Sequence, residues 1–199
     1  MARRTKAEAE QTRERLLDIA ETLFAARGLG ATSLEDIARA ADLTRGAVYW
    51  HFDNKYALFD AIYARAKQPL NDMMEAAITA ERPLESLEAT CVYSMKQMAR
   101  DERMQNVFRI TQFGCDKSRP EEEMHCRTMA VARVEKILKQ ARIKGELASH
   151  VKIPLAVDAL FSYLNGIYVD FLRNGFHRTM ERDAKSLARY FFDGLRPRG

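Results

Sequence analysis

The sequence predicts an all-α fold: a small three-helix helix-turn-helix head at the N-terminus and a larger C-terminal helical bundle, about nine helices in total. Three observations carry this. Apolar residues recur at i, i+3, i+4 and i+7 along most of the 199 residues, the spacing of one helix face. Only five prolines and nine glycines interrupt the chain, and long β-branched runs are few. Apolar residues make up 47% of the total, enough for a packed core.

The elements follow in order. Leu16, Ile19, Ala20, Leu23 and Phe24 form the stripe of a first helix from about Glu8 to Arg27, ended by Gly28-Leu29-Gly30. Thr32-Ser33 opens a second helix, and Ser33 with Asp36 three residues on makes a near capping box. Its inward residues are Leu34, Ile37, Ala38 and Ala41, and Asp42 breaks it. A third helix has Thr44 as its cap and ends near His51. Asp53-Asn54-Lys55 opens a fourth, with Leu58, Phe59, Ile62 and Tyr63 inward and Pro69 expected to end or kink it. Residues 1–55 make the head and residues 56–199 the second domain.

Composition changes after residue 67, where eight of nine methionines and seven of ten phenylalanines fall. Pro83 opens a helix striped by Leu84, Leu87, Cys91, Ser94 and Met98, and Met104, Phe108 and Thr111 mark a short one. Residues 116–120 read as a polar loop, and a charged helix runs from Glu121 to Lys144, closed by Gly145. Pro154 to Asn174 is the most apolar segment, with Val157, Phe161 and Leu172 lying outside its main stripe, so it should be buried on more than one side. The last helix, about Glu181 to Leu195, carries Met180, Ala184, Leu187, Ala188, Phe191 and Leu195. Together these two helices have more apolar surface than one bundle uses, which points to a homodimer through the last two helices.

The third helix carries the chemistry. Once Leu43 and Val48 face inward, Thr44, Arg45, Gly46, Tyr49, Trp50 and His51 point outward. Two large aromatics and an arginine on the open side of a two-turn helix serve no core. They suit a phosphate backbone and base edges in a major groove. Arg45 is the candidate for bidentate reading of guanine, Gly46 for close backbone approach, and Thr44 for a cap that also donates to a phosphate. Lys55, beside the free amides of the fourth helix, and Ser33, opening the second, are further candidates for phosphate.

Other classes are excluded or weak. A net charge of +4 is only mildly basic, although Arg3, Arg4 and Lys6 begin the chain as a short basic arm. No run approaches the roughly 18 uninterrupted apolar residues of a membrane span, so a cytoplasmic protein without membrane association is expected. Cys91, Cys115 and Cys126 lack disulfide or metal spacing, and His125-Cys126 is adjacent rather than at ligand spacing. Cys126 near Arg127 is a candidate redox-sensitive thiol. Four histidines stand outside any catalytic motif and no glycine-rich phosphate loop is present, so neither an enzyme nor a cofactor is expected.

The block Thr44-Arg45-Gly46-Ala47-Val48-Tyr49-Trp50-His51-Phe52, followed by Asn54-Lys55 and Leu58, resembles the tetracycline-repressor (TetR) family of bacterial regulators over residues 9–59. The start, Met1 to Lys6 with Glu8-Ala9 and Thr12-Arg13, and Cys115 after Phe113 are similar to its AcrR-like subgroup. Asp42 departs from the family's glycine at the turn, a position aspartate tolerates at modest cost. The resemblance implies contacts to operator DNA from Tyr49, Trp50 and His51, and repression of a multidrug efflux pump operon by a dimer on a palindromic site. An activator, or a regulator of metabolic genes, stays open. It also implies a small lipophilic or aromatic effector held among Leu87, Cys91 and Ser94, then Phe108, Thr111 and Gln112, and finally Phe161, Leu164, Asn165 and Tyr168. Ser94, Thr111, Gln112 and Asn165 are the polar residues interrupting apolar faces there, while Asp170 suits a surface or dimer-interface role.

Overall fold

The computed structural model describes residues 6–113, 120–174 and 177–197, including their side chains apart from 113, 120–128 and 177–179. Among these residues there are nine helices and no strand. They are α1 (Lys6–Arg27), α2 (Leu34–Ala40), α3 (Arg45–Tyr49), α4 (Lys55–Thr79) and α5 (Pro83–Arg100), then α6 (Glu102–Phe113), α7 (Pro120–Ile143), α8 (Ile153–Asn174) and α9 (His177–Phe192). Arg3, Arg4 and Cys115 lie outside the described residues, as do the side chains of His125 and Cys126.

The chain divides into two compact units, residues 1–67 with 103–123, and residues 68–102 with 124–199. The expected head of residues 1–55 lies inside the first unit, which also takes in the first half of α4 and α6. Pro69 does not end α4, which runs through it to Thr79. Proline withdraws the N–H that the Arg65 carbonyl would accept and sets its ring against that carbonyl. Leu58, Ile62 and Leu70 keep both sides of the break buried.

In the first unit, Leu16, Ala20 and Phe24 of α1 pack with Ile37 and Ala38 of α2, Val48 of α3, Leu58 and Ile62 of α4, and Val107 and Ile110 of α6. Two terminations set the angle of α3. Ser33 and Asp36 complete the expected capping box at the start of α2. At its end Leu43 N–H reaches the Ala38 carbonyl at 2.9 Å and Asp42 N–H the Arg39 carbonyl at 3.2 Å, the paired bonds of a Schellman closure. Asp42 therefore sits at φ 52°, the left-handed conformation for which glycine is usual.

An ion network ties this unit together. The Arg65 guanidinium, mostly buried, meets Glu14 and Asp18 at 2.9 Å each and Glu21 at 3.0 Å. These carboxylates are spaced four and three residues apart on one face of α1. Arg103 of α6 reaches Asp18 at 3.2 Å, and Asn106 donates to the second oxygen of Glu21 at 3.2 Å. Glu21 is only 5% exposed, so its charge depends on these donors.

In the second unit, α5 packs against α9, and Leu84, Leu87 and Cys91 join Ile137, Leu138, Leu160 and Phe192 in one core. Pro83 begins α5 without a side-chain cap. The Glu146 carboxylate supplies the missing acceptor, taking the Leu84 N–H at 2.8 Å. Tyr163 stacks on Phe191 at 5.7 Å and donates its hydroxyl to the Leu187 carbonyl at 2.8 Å. By length and composition α8 is apolar enough to cross a membrane, with a mean hydropathy of 1.3 over its best window. That apolarity comes from two faces. Ala156, Val157, Leu160, Tyr168 and Phe171 are buried, while Leu155 is 62% exposed and Ala159 and Gly166 are open.

Two stability measurements check these points. Asp42→Val forces a β-branched residue into the left-handed region and should cost roughly 1–2 kcal/mol by urea unfolding. Asp42→Gly should stay within about 1 kcal/mol of the parent. Arg65→Met strands Glu21 and should cost about 3 kcal/mol, with adding Glu21→Gln recovering part of the loss. Equal stability of Arg65→Met and the parent would show that the network holds nothing.

Candidate nucleic-acid interface

Helix α3 is five residues long, so it can bury only one face. Thr44, extended at φ −73° and ψ 152°, caps it by accepting the Ala47 N–H at 3.3 Å. Val48 is fully buried. The other positions are left on the surface, with Tyr49 41% and Trp50 72% exposed, both large apolar groups in water. A Cβ on Gly46 would meet no atom within 4 Å. The fold itself does not require glycine there.

Arg45 is exposed but not loose. One terminal nitrogen meets Glu35 of α2 at 2.8 Å, and the other donates to the Tyr49 hydroxyl at 3.2 Å. The guanidinium also lies over the Tyr49 ring, 5.2 Å from its centre. The hydrogen bond to Tyr49, and then the charge of Glu35, hold it protonated more firmly than an isolated arginine. The Trp50 ring stands edge-on to half-buried His51 at 4.5 Å.

Two of the expected phosphate donors are occupied within the chain. The Ser33 hydroxyl accepts the Asp36 N–H at 3.1 Å and donates to the Asp36 carboxylate at 2.6 Å, so its proton is taken up by the capping box. Those bonds from Ser33, together with the charge of Arg39, lower the pKa of Asp36. Lys55 is expected to join the free amides of α4 in favouring a phosphate. Its ammonium instead donates to the carbonyls of Leu29 at 2.9 Å and Gly30 at 3.2 Å, across 26 and 25 residues. The amides at that helix start are served by Asn54, whose side-chain oxygen accepts from Tyr56 and Ala57 N–H at 2.9 Å each. Lys55 still borders a shallow cleft of about 350 Å³, whose walls include Gly30, Ser33, Glu35, Tyr49 and Asn54. Sequence reasoning missed Glu35 and Asn54. Asn54 stood in the opening triplet of α4, but nothing local marks Glu35, whose partner lies on another helix.

The residues expected around an effector fall into both units. In the second, Leu87 and Cys91 are buried in the core, with Phe161 and Leu164 packed against it. Tyr168 is buried and donates its hydroxyl to Ser94 at 2.7 Å, so Ser94 does have a partner within the chain. Burial pushes the Cys91 thiol up to about 12, with the charge of Glu88 adding to it, and the same cause raises the Tyr168 phenol. Asn165 is exposed rather than a buried polar interruption, because it falls on the open face of α8. In the first unit Phe108 is buried and Thr111 donates its hydroxyl to the Phe108 carbonyl at 3.0 Å, whereas Gln112 is exposed near the end of α6. Asp170 is exposed and accepts from Asn174 at 2.5 Å.

The family model described as "Bacterial regulatory proteins, tetR family" matches residues 16–62, from the middle of α1 to the first turns of α4. The transcriptional repressor BepR of Brucella suis biovar 1 is 36% identical over 177 residues, 85% of each chain. Among solved structures, NalD, the secondary repressor of the MexAB-OprM multidrug efflux pump in Pseudomonas aeruginosa, superposes with a TM-score of 0.82 at 30% identity, over 98% of this chain and all of that one. SmeT in complex with triclosan superposes with a TM-score of 0.82 at 27% identity, over 95% of this chain and 93% of its own; SmeT is the repressor of a Stenotrophomonas maltophilia efflux pump. The chain belongs to the TetR family of bacterial DNA-binding transcriptional regulators.

Proposed function

We propose that this protein is a ligand-responsive repressor that binds a palindromic operator as a homodimer in the cytoplasm, controls a multidrug efflux operon, and leaves the operator when a small lipophilic effector binds. One observation carries the reading: the face of α3 that bears Arg45, Gly46, Tyr49 and Trp50 is built but covered by nothing in its own unit. Efflux control is supported by the relatives, since NalD and SmeT are both efflux-pump repressors. A lipophilic effector is supported by the methionine- and phenylalanine-rich second unit and by the triclosan bound to SmeT.

A five-residue recognition helix offers few contacts, which favours two copies reading half-sites about 34–36 Å apart. The open face of α8, with Leu155, Ala159 and Gly166, and Tyr190 of α9 at 79% exposure, supplies apolar surface for such a pairing. The effector then acts by differential affinity. If it binds better to a dimer whose recognition helices no longer fit the spacing, it empties the operator by the same factor that DNA weakens its binding. Arg45 and Lys55 divide the labour on DNA. Arg45 reads a base, while Lys55 braces the turn after α1 and presents its remaining proton to the cleft.

The test is a binding titration with the duplex upstream of the protein's own gene. Arg45→Ala should lose about 1–3 kcal/mol of preference for that duplex over a scrambled one. Lys55→Ala should weaken both duplexes alike and also lower the unfolding temperature, with Lys55→Arg restoring the latter. Triclosan or a similar lipophile should release the bound duplex. Wild-type-like selectivity in Arg45→Ala would contradict the reading.

A further inference from the structure

We propose that Glu35 is a specificity-determining positioning residue, whose carboxylate orients the Arg45 guanidinium for a base and disfavours complexes in which Arg45 goes elsewhere. The inference rests on the DNA-reading role given to α3 above. It begins from a geometry that neither helix provides alone.

Arg45 is gripped from two elements: Glu35 on α2 at 2.8 Å, and Tyr49, one turn on in α3, at 3.2 Å and through its ring. One contact would leave a long side chain free to swing. Two contacts on different nitrogens, with the guanidinium carbon 5.2 Å from the ring centre, hold its position. A guanidinium has five N–H donors; the Tyr49 hydroxyl takes one and Glu35 holds the group as an ion pair, which leaves the two that a guanine edge takes. The grip therefore need not break for a base to be read. The rotamer freedom of arginine is also largely surrendered before DNA arrives.

The negative charge acts in the same direction. Glu35 is half exposed on the edge of the cleft beside α3, where phosphates would pass. The neighbouring acid Asp36 is neutralised within α2 by Arg39 and the Ser33 cap. Glu35 has its recorded counter-charge in Arg45. While Arg45 stays in place the pair presents little net charge to the duplex. On a sequence that draws Arg45 away to a phosphate, an uncompensated carboxylate faces the polyanion, and that complex is weakened.

The experiment uses the full-length protein and a duplex selected by it from a random library, beside a scrambled duplex of equal composition and length. Glu35→Gln should bind the scrambled duplex about threefold more tightly and the selected one about threefold more weakly. Discrimination then falls roughly tenfold, within the range one bidentate pair supplies. Glu35→Asp, which keeps the charge, should recover most of it. In an Arg45→Lys background Glu35→Gln should lower discrimination by clearly less than it does beside Arg45, because an ammonium has no fork to orient and only the effect of the charge remains. Should Glu35→Gln fold poorly by circular dichroism, Glu35→Ala is read the same way. Discrimination unaltered by Glu35→Gln, including the case where both duplexes simply bind more tightly by one factor, overturns the proposal. Failure of the wild type to select any sequence would strike at the DNA-reading role itself and is distinguishable from the first result.

Discussion

A helix of five residues can bury one side only, and here that side is spent on Val48. Everything distinctive about the first unit follows. Val48 is anchored among α1, α2, α4 and α6, so the opposite face carries Arg45, Gly46, Tyr49 and Trp50 outside the core. The core supplies the rigidity, and the surface residues are released from any packing duty. A base-reading group needs this arrangement, because its geometry must be set before its partner arrives.

That rigidity is assembled from distant parts of the sequence. The Schellman closure at Asp42 sets the turn between α2 and α3. Arg65 gathers three carboxylates of α1, and Arg103 and Asn106 bring α6 to the same cluster. Lys55 ties the start of α4 to the carbonyls that follow α1. Apart from the Schellman closure, these bonds cross from one helix to a different element. Helix α6 belongs to this unit although it follows α5 in the chain.

Much of this was legible in the sequence because it is local. The apolar period gave the helices and their inward faces. The Ser33–Asp36 spacing gave the cap, and the tolerance of aspartate for a positive φ explained why the turn survives without glycine. What could not be read was non-local. The intrachain bonds of Lys55, a candidate for phosphate, were hidden because its acceptors lie 25 and 26 residues away. Glu35 carried no local signal because its partner is on α3. Pro69 looked like a terminator because local rules do not weigh the burial that carries α4 past it. Asn165 looked buried because α8 has two apolar faces and the period does not say which is covered.

The single tryptophan tests the central claim, since Trp50 stands on the face assigned to DNA and is largely in water. Its emission should change saturably when the duplex upstream of the protein's own gene is added at low ionic strength, and recover as salt is raised. Emission indifferent to that duplex, under conditions where the protein is folded, would contradict the account.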